Sequence, residues 1–223
     1  MGYKIAIDGP AGTGKGFVAC EISKILGIMY VDTGAMYRAF ALYCYNNNID
    51  VENYKQIEQA LGNVKTTLLY DNQNLKVLLN DEDVSEKIRN ENISMLASVV
   101  SSIPIVREYM VESQRNLAGT YNVIMEGRDI GSVVFPDAEL KIFLTAKREV
   151  RAQRRYKDLA LKNSNITYEE VLEDIIKRDE RDTTRKISPL IKTEDMIEID
   201  TTYLNKQEVI NKVMELIRQK ELI

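Results

Sequence analysis

The chain of 223 residues contains no histidine, and its only cysteines are Cys20 and Cys44. Without imidazole there is no His-based general acid or base and no His-containing zinc site. Two thiols in separate helical stretches exclude a four-cysteine metal centre and a disulfide framework. They read instead as small buried apolar residues. No uninterrupted apolar run approaches the ~20 residues that span a bilayer. The chain runs straight into a strand and a glycine-rich loop, with nothing like a secretory leader, so the cytoplasm is the expected compartment. A net charge of −4 argues against a general nucleic-acid or membrane-surface binder. Low-complexity stretches and internal repeats are missing as well. An enzyme built from this inventory has to work by positioning and electrostatics, with Lys, Arg, Asp and a metal ion. Phosphoryl transfer is the reaction class that needs little else.

What is present supports that direction. The length allows a full core, and 44% apolar with 29% charged residues fits a soluble globular protein. The run Gly9-Pro10-Ala11-Gly12-Thr13-Gly14-Lys15 follows the apolar segment 3–8 and precedes a helical pattern over 15–26. A strand, a glycine-rich turn ending in lysine, and then a helix is the layout of a phosphate-binding loop. Glycines let backbone N–H groups approach anionic oxygens, the helix N-terminus adds partial positive charge, and Lys15 reaches the outer phosphates. One departure concerns the metal. The common pattern has Ser or Thr directly after the lysine to hold Mg²⁺, whereas this chain has Gly16 and then Phe17. Thr13 is the only hydroxyl of the loop. The metal is then held through water, another side chain, or the nucleotide itself.

Strand candidates at 3–8, 29–31, 121–126, 140–145 and 196–200 alternate with helical patterns at 15–26, 34–47, 92–101, 104–118, 147–161, 167–182 and 205–220. Pro104 suits a first helical position. Thr167 with Glu170, and Asn205 with Glu208, form capping boxes. Val209, Ile210, Val213, Leu216 and Ile217 make one apolar stripe, read as core packing. The alternation predicts a parallel sheet covered on both faces, with ligands at the carboxyl ends of the strands. Residues 63–84 interrupt it. Two apolar runs flank Asp71-Asn72-Gln73-Asn74, which predicts a hairpin insertion. Residues 147–162 carry seven Lys/Arg against two Asp/Glu. Arg148, Arg151, Arg154 and Arg155 recur at helical spacing there, as a lid closing over phosphates requires. One domain over 1–223 is expected. Its core would be 1–62, 85–146 and 183–223, with a β insertion at 63–84 and a lid-like region at 147–182.

Three further constellations carry chemistry. Asp32-Thr33-Gly34-Ala35-Met36-Tyr37-Arg38 follows the second strand, and Arg38 there can take a phosphate bidentately. Glu126-Gly127-Arg128-Asp129-Ile130-Gly131 sits at a strand end, where two glycines around an Arg-Asp pair point to a tight loop presenting both side chains. Arg178, Arg181, Asp182 and Arg185 share a face at the end of a long helix. Their excess of arginine points to an anion opposite.

Together with Phe135-Pro136-Asp137-Ala138 and Lys141-Ile142-Phe143-Leu144, these motifs resemble the bacterial-type cytidylate kinases, P-loop nucleoside monophosphate kinases, in order and over essentially the whole chain. The resemblance implies a three-layer α/β/α fold with five parallel central strands, a small β insertion in the monophosphate-binding region and an arginine-bearing lid. It implies transfer of the γ-phosphoryl group of ATP to CMP or dCMP, with Mg²⁺. Residues Gly9 to Phe17 and Arg154 would hold ATP. Lys15, Arg128, Arg185, Arg151 and Arg155 would act on the group in flight. Thr33, Arg38, Ser98, Arg107, Arg128, Asp129, Arg178, Asp182 and Arg185 would hold CMP, with Ser98, Arg107 and Asp129 on the cytosine. A monomer with no nucleic-acid or membrane partner is expected. The acceptor is itself an anion, so no general base is needed. Two other readings stay open: another acceptor, such as UMP or a small alcohol, and a nucleotide-binding switch that has lost catalysis, with Phe17 as the lesion.

Overall fold

The computed structural model describes residues 2–71, 74–161 and 165–223. Asn72 and Gln73, in the middle of the expected hairpin turn, and residues 162–164 of the expected lid lie outside the described residues. The chain divides into two compact units, one formed by Met1–Tyr30 with Thr120–Ile223 and one by Val31–Gly119.

The first unit is built on a parallel sheet. Strands β1 (Lys4–Asp8), β2 (Met29–Asp32, which leads out of the unit), β6 (Val123–Gly127), β7 (Leu140–Thr145) and β8 (Ile197–Asp200) form five strands in the order β2-β6-β1-β7-β8. β1 pairs in parallel with both β6 and β7, and β7 pairs in parallel with β8. The central strand is buried throughout, as its continuous run Ile5-Ala6-Ile7 requires when helices cover both faces. Helices α1 (Lys15–Leu26), α6 (Arg148–Ala160), α7 (Tyr168–Thr184) and α8 (Lys206–Gln219) belong to this unit. α7 and α8 begin with the two expected capping boxes, at Thr167 with Glu170 and at Asn205 with Glu208. The stripe of α8 buries Val209, Ile210, Val213 and Ile217. α6 and α7 pack as a hairpin around Ala152, Val171 and Ile175, flanked by Tyr156, Leu159 and Tyr168.

The second unit holds α2 (Thr33–Asn46), α3 (Tyr54–Gly62), the antiparallel strands β3 (Thr66–Asp71), β4 (Asn74–Leu79) and β5 (Glu82–Asp83), then α4 (Glu91–Val100) and α5 (Pro104–Ala118). The hairpin expected at 63–84 is present as β3 and β4, with β5 as its short third strand. Helix α3 was not expected from the sequence. The Asn53 side chain caps it by accepting from Gln56 N, and it buries only Ile57, Ala60 and Leu61. That apolar stripe is too short to stand out by periodicity.

A π-helical turn, Ile130–Val134, follows β6 and was also unexpected. Its backbone bonds run from Val134 N to Asp129 O and from Phe135 N to Ile130 O. Such turns are rare and recur at functional sites.

Candidate active site

The loop from Gly9 to Gly14 joins the carboxyl end of β1 to α1. Gly9 has φ +144, and a Cβ there would collide with the Leu144 carbonyl, so only glycine fits. Gly12 has φ +80, and a Cβ there would meet the Arg151 side chain at 3.0 Å. The loop thus lies directly on the start of α6. Thr13 is buried and its hydroxyl donates to Pro10 O at 3.1 Å. Lys15 is also buried, and its ammonium donates to the same carbonyl at 2.8 Å. Burial and the neighbouring Arg128 push the Lys15 pKa well below the usual lysine range, to about 7, against the opposing pull of Glu126, Asp8 and Asp182.

Asp8 closes β1 with a fully buried carboxylate. One oxygen accepts from Ile130 N at 2.9 Å and the other from Gly131 N at 2.7 Å. These are the first N–H groups of the π-helical turn, so Asp8 caps it from another strand. Burial raises the Asp8 pKa to about 6, even though those two bonds favour the anion. The turn fixes the end of β6, where Glu126, Arg128 and Asp129 stand.

Arg128 and Asp129 do not pair with one another; each pairs with the end of α7. Arg128 Nε donates to Asp182 Oδ2 at 2.7 Å. Arg185 Nη2 lies 3.8 Å from Asp129 Oδ1, and its Nη1 lies 3.7 Å from Asp182 Oδ1. Arg185 sits at the C-cap of α7 in extended conformation, just past the helix, and its Nε also donates to Ser188 O at 2.6 Å. Arg178 is within ion-pair range of Asp174 at 3.6 Å. Burial lowers the Arg178 pKa, and the like charges of Arg155 and Arg128 lower it further. Burial alone would raise the Asp182 pKa, but Arg128, Arg185 and Arg178 outweigh it and hold the carboxylate below its usual range. The arginine excess read along α7 is therefore offset by Asp174 and Asp182 of α7 itself and by Asp129, which follows β6.

Two arginines of α6 are already engaged within the protein. Arg154 donates to the Thr201 hydroxyl at 3.1 Å and to Thr201 O at 2.6 Å. Arg151 is buried and donates to Ala146 O, Ala11 O and both oxygens of Asp179. Phe17 is 40% exposed on the first turn of α1, with the Lys206 ammonium 4.4 Å from its ring centroid.

Gly16 stands where the common pattern has a hydroxyl-bearing residue. A Cβ at this position would lie 3.1 Å from Glu126 Oε1 and 3.4 Å from the Tyr30 hydroxyl. A carboxylate and a phenol crowd the place where a serine or threonine side chain would start. Among the described residues, no group of three or more His, Cys, Asp or Glu could hold a metal ion by itself.

In the second unit, Thr33 opens α2 and is buried. The Asp32 side chain caps this helix by accepting from Ala35 N at 2.9 Å, and its other oxygen accepts from Arg38 Nη2 at 2.9 Å. Arg107 on α5 is almost fully buried. It donates to Ser101 O at 2.9 Å and stacks over the Tyr37 ring at 5.6 Å from the centroid. Ser101 donates in turn to the carbonyl of Ser98, which is buried on α4.

Each unit thus holds its own share of the expected residues. The first holds Lys15, Arg128, Asp129, Arg178, Asp182 and Arg185, and the second holds Thr33, Arg38, Ser98 and Arg107. Three residues of the first unit were passed over as site residues. Asp8 and Glu126 lie within motifs already read, and the hydroxyl missing at Gly16 was the available signal for Glu126. Asp179 lies in the run from Arg178 to Arg185 already read, but nothing local pointed to its pairing with Arg151, 28 positions away.

A lysine-bearing glycine loop after the central strand of a parallel sheet, with arginines at the neighbouring strand end, defines a P-loop phosphotransferase. A family profile described as Cytidylate kinase matches residues 5–219. The cytidylate kinase of Carboxydothermus hydrogenoformans is 48% identical over 217 residues, covering 97% of this chain and 98% of that one. The cytidylate kinase of Caldanaerobacter subterraneus subsp. tengcongensis is 51% identical over 216 residues, covering 97% and 95%. Among solved structures, an uncharacterized protein from Eubacterium ventriosum superposes with a TM-score of 0.52 at 11% identity over 97% of this chain and 98% of that one, a likeness of fold alone. The chain belongs to the cytidylate kinase family.

Proposed function

We infer that the protein transfers the γ-phosphoryl group of ATP to CMP or dCMP, giving ADP and CDP or dCDP. The observation that carries this reading is the gathering of Lys15, Arg128, Arg178 and Arg185 at the carboxyl ends of β1 and β6, in a chain of this family. Transfer between two phosphates needs the oxygens in line and the charge on the equatorial oxygens offset. Backbone N–H groups of residues 9–16 and Lys15 hold the donor phosphates. Arg128 and Arg185 stabilise the group in flight, and Asp182 and Asp129 hold both guanidinium groups oriented before substrate arrives. Arg38 takes the acceptor phosphate, and Ser98, Arg107 and Asp129 read the cytosine. Thr33, Arg178 and Asp182 face the sugar. Arg154 and Arg155 approach the donor from α6.

The oxygen donors beside Lys15 suit a hard divalent cation. Mg²⁺ would be held by the nucleotide phosphates with Glu126, where it supplies charge neutralisation. The protein is read as a cytoplasmic monomer; no helix among the described residues is long and apolar enough to cross a membrane. We also read 63–84 as part of the monophosphate-binding region and 147–182 as the lid.

A coupled assay of ADP release across nucleoside monophosphates tests the reading. Strong turnover on CMP and dCMP with weak turnover on UMP and AMP is expected. Equal rates on all four, or ATP consumption independent of any acceptor, would overturn it.

A further inference from the structure

Arg151 carries five N–H donors, and four bonds from them go to the protein. Nε donates to Ala146 O at 2.9 Å. Nη1 donates to Ala11 O at 3.0 Å and to Asp179 Oδ1 at 3.0 Å, and Nη2 donates to Asp179 Oδ2 at 2.5 Å. The side chain is 3% exposed. A guanidinium this deeply engaged is poorly placed to serve as a mobile phosphate contact, the role the resemblance implied. Its partners make it a bridge. Ala11 belongs to the phosphate loop, and the adjacent Gly12 packs against the Arg151 backbone so closely that a Cβ would sit 3.2 Å from Arg151 O. Asp179 belongs to α7, between Arg178 and Asp182. The fork-to-fork pair fixes both the distance and the rotation of α7 relative to the loop. A turn of α7 about its axis moves Arg178 and Asp182 together, and Asp182 orients Arg128 and Arg185.

We propose that the Arg151–Asp179 pair is a positioning device that couples the phosphate loop to α7, and that Asp179 is a functional residue acting through Arg151 without touching either nucleotide. The proposal rests on the phosphotransferase reading above. When a triphosphate settles on the loop, the position of Ala11 is passed through one rigid guanidinium to the helix that presents the acceptor-side charges. By linkage, each nucleotide then tightens the binding of the other by the same factor.

The test is calorimetric titration of a non-hydrolysable ATP analogue with and without saturating CMP, on the full chain. Asp179→Asn keeps the shape and removes the charge; Arg151→Lys keeps the charge and removes the fork. The wild type should show CMP tightening the analogue by about fivefold or more. Each variant should bring that factor to within about twofold of one and lower kcat, while the affinity for the analogue alone changes little. The double variant should be no worse than the more impaired single one, since both remove one link. A merely structural pair would lower the melting temperature and leave the coupling factor of the folded protein intact. That result, or independent and multiplying losses in the double variant, or a wild type without coupling, would overturn the proposal. If Asp179→Asn does not fold, the Arg151→Lys titration decides. Wild-type ADP release on CMP is measured first; its absence counts against the phosphotransferase reading and not against the bridge.

Discussion

Replacing Asp182 by asparagine keeps the shape of the side chain and removes the carboxylate that Arg128 contacts at 2.7 Å and Arg185 approaches at 3.7 Å. The Asp182 side chain is 9% exposed, that of Arg185 4% and that of Arg128 23%. Two unit charges about 4 Å apart attract by roughly 4 kcal/mol at the effective dielectric of such sites. Desolvation cancels part of this in the intact pair. Removing one partner, however, leaves buried cations uncompensated, which costs about 3–5 kcal/mol. The partial exposure of Arg128 favours the lower end, about 3 kcal/mol. For a chain of this size that lowers the melting temperature by roughly 6–12 °C. The sign of the pH dependence follows from the depressed Asp182 pKa. Its stabilisation is present above the unfolded-state value of about 3.9 and is lost as pH falls through the lower folded-state value, so the gap between wild type and variant narrows in acid. Phosphate in the buffer should restore more stability to the variant than to the wild type, because the freed guanidinium groups accept an anion in place of the carboxylate. Thermal melts by circular dichroism, in chloride and in phosphate and at neutral and acid pH, measure all three effects. A variant melting within about 2 °C of wild type at neutral pH, with no added response to phosphate, would refute the claim that Asp182 holds these arginines.

Arg128→Ala and Arg185→Ala should each lower kcat by about two to three orders of magnitude with modest loss of ATP affinity; steady-state kinetics with near-wild-type turnover would remove both from the chemical step. Gly16→Ala forces Glu126 to move, since the new Cβ would stand 3.1 Å from Oε1. The Mg²⁺ concentration needed for half-maximal rate should rise severalfold, and an unchanged Mg²⁺ titration would take Glu126 out of the metal site. The Lys15 pKa of about 7 in the free protein should rise when a triphosphate arrives. ATP binding at pH 8 should therefore take up a proton, and affinity should weaken as pH rises above about 7. Titration calorimetry in buffers of different ionisation enthalpy reads the uptake directly, and none would mean that Lys15 is already charged.

The phosphate loop was legible because its information is local: glycines at fixed spacing, a lysine and a preceding apolar strand. The same holds for the capping boxes of α7 and α8 and for Pro104, which begins α5. The five strands stood out by their apolar runs. Helix α3 did not, because three buried residues make too short a stripe. The π-helical turn was invisible for another reason: its first N–H groups are satisfied by Asp8, more than a hundred residues away. The arginines of the site could be counted in the sequence, but their partners could not. Arg128 finds Asp182 across 54 positions and Arg151 finds Asp179 across 28. Those pairings change the meaning of the motif. A surplus of positive charge on one helical face became a set of arginines held in place by carboxylates from β6 and α7, and Arg151 became an internal strut.

The most direct test follows the phosphorus itself. ³¹P spectra of ATP, CMP, Mg²⁺ and the protein should show ADP and CDP growing in equal amounts, with no inorganic phosphate. ADP appearing with inorganic phosphate and without CDP would contradict transfer between two nucleotides.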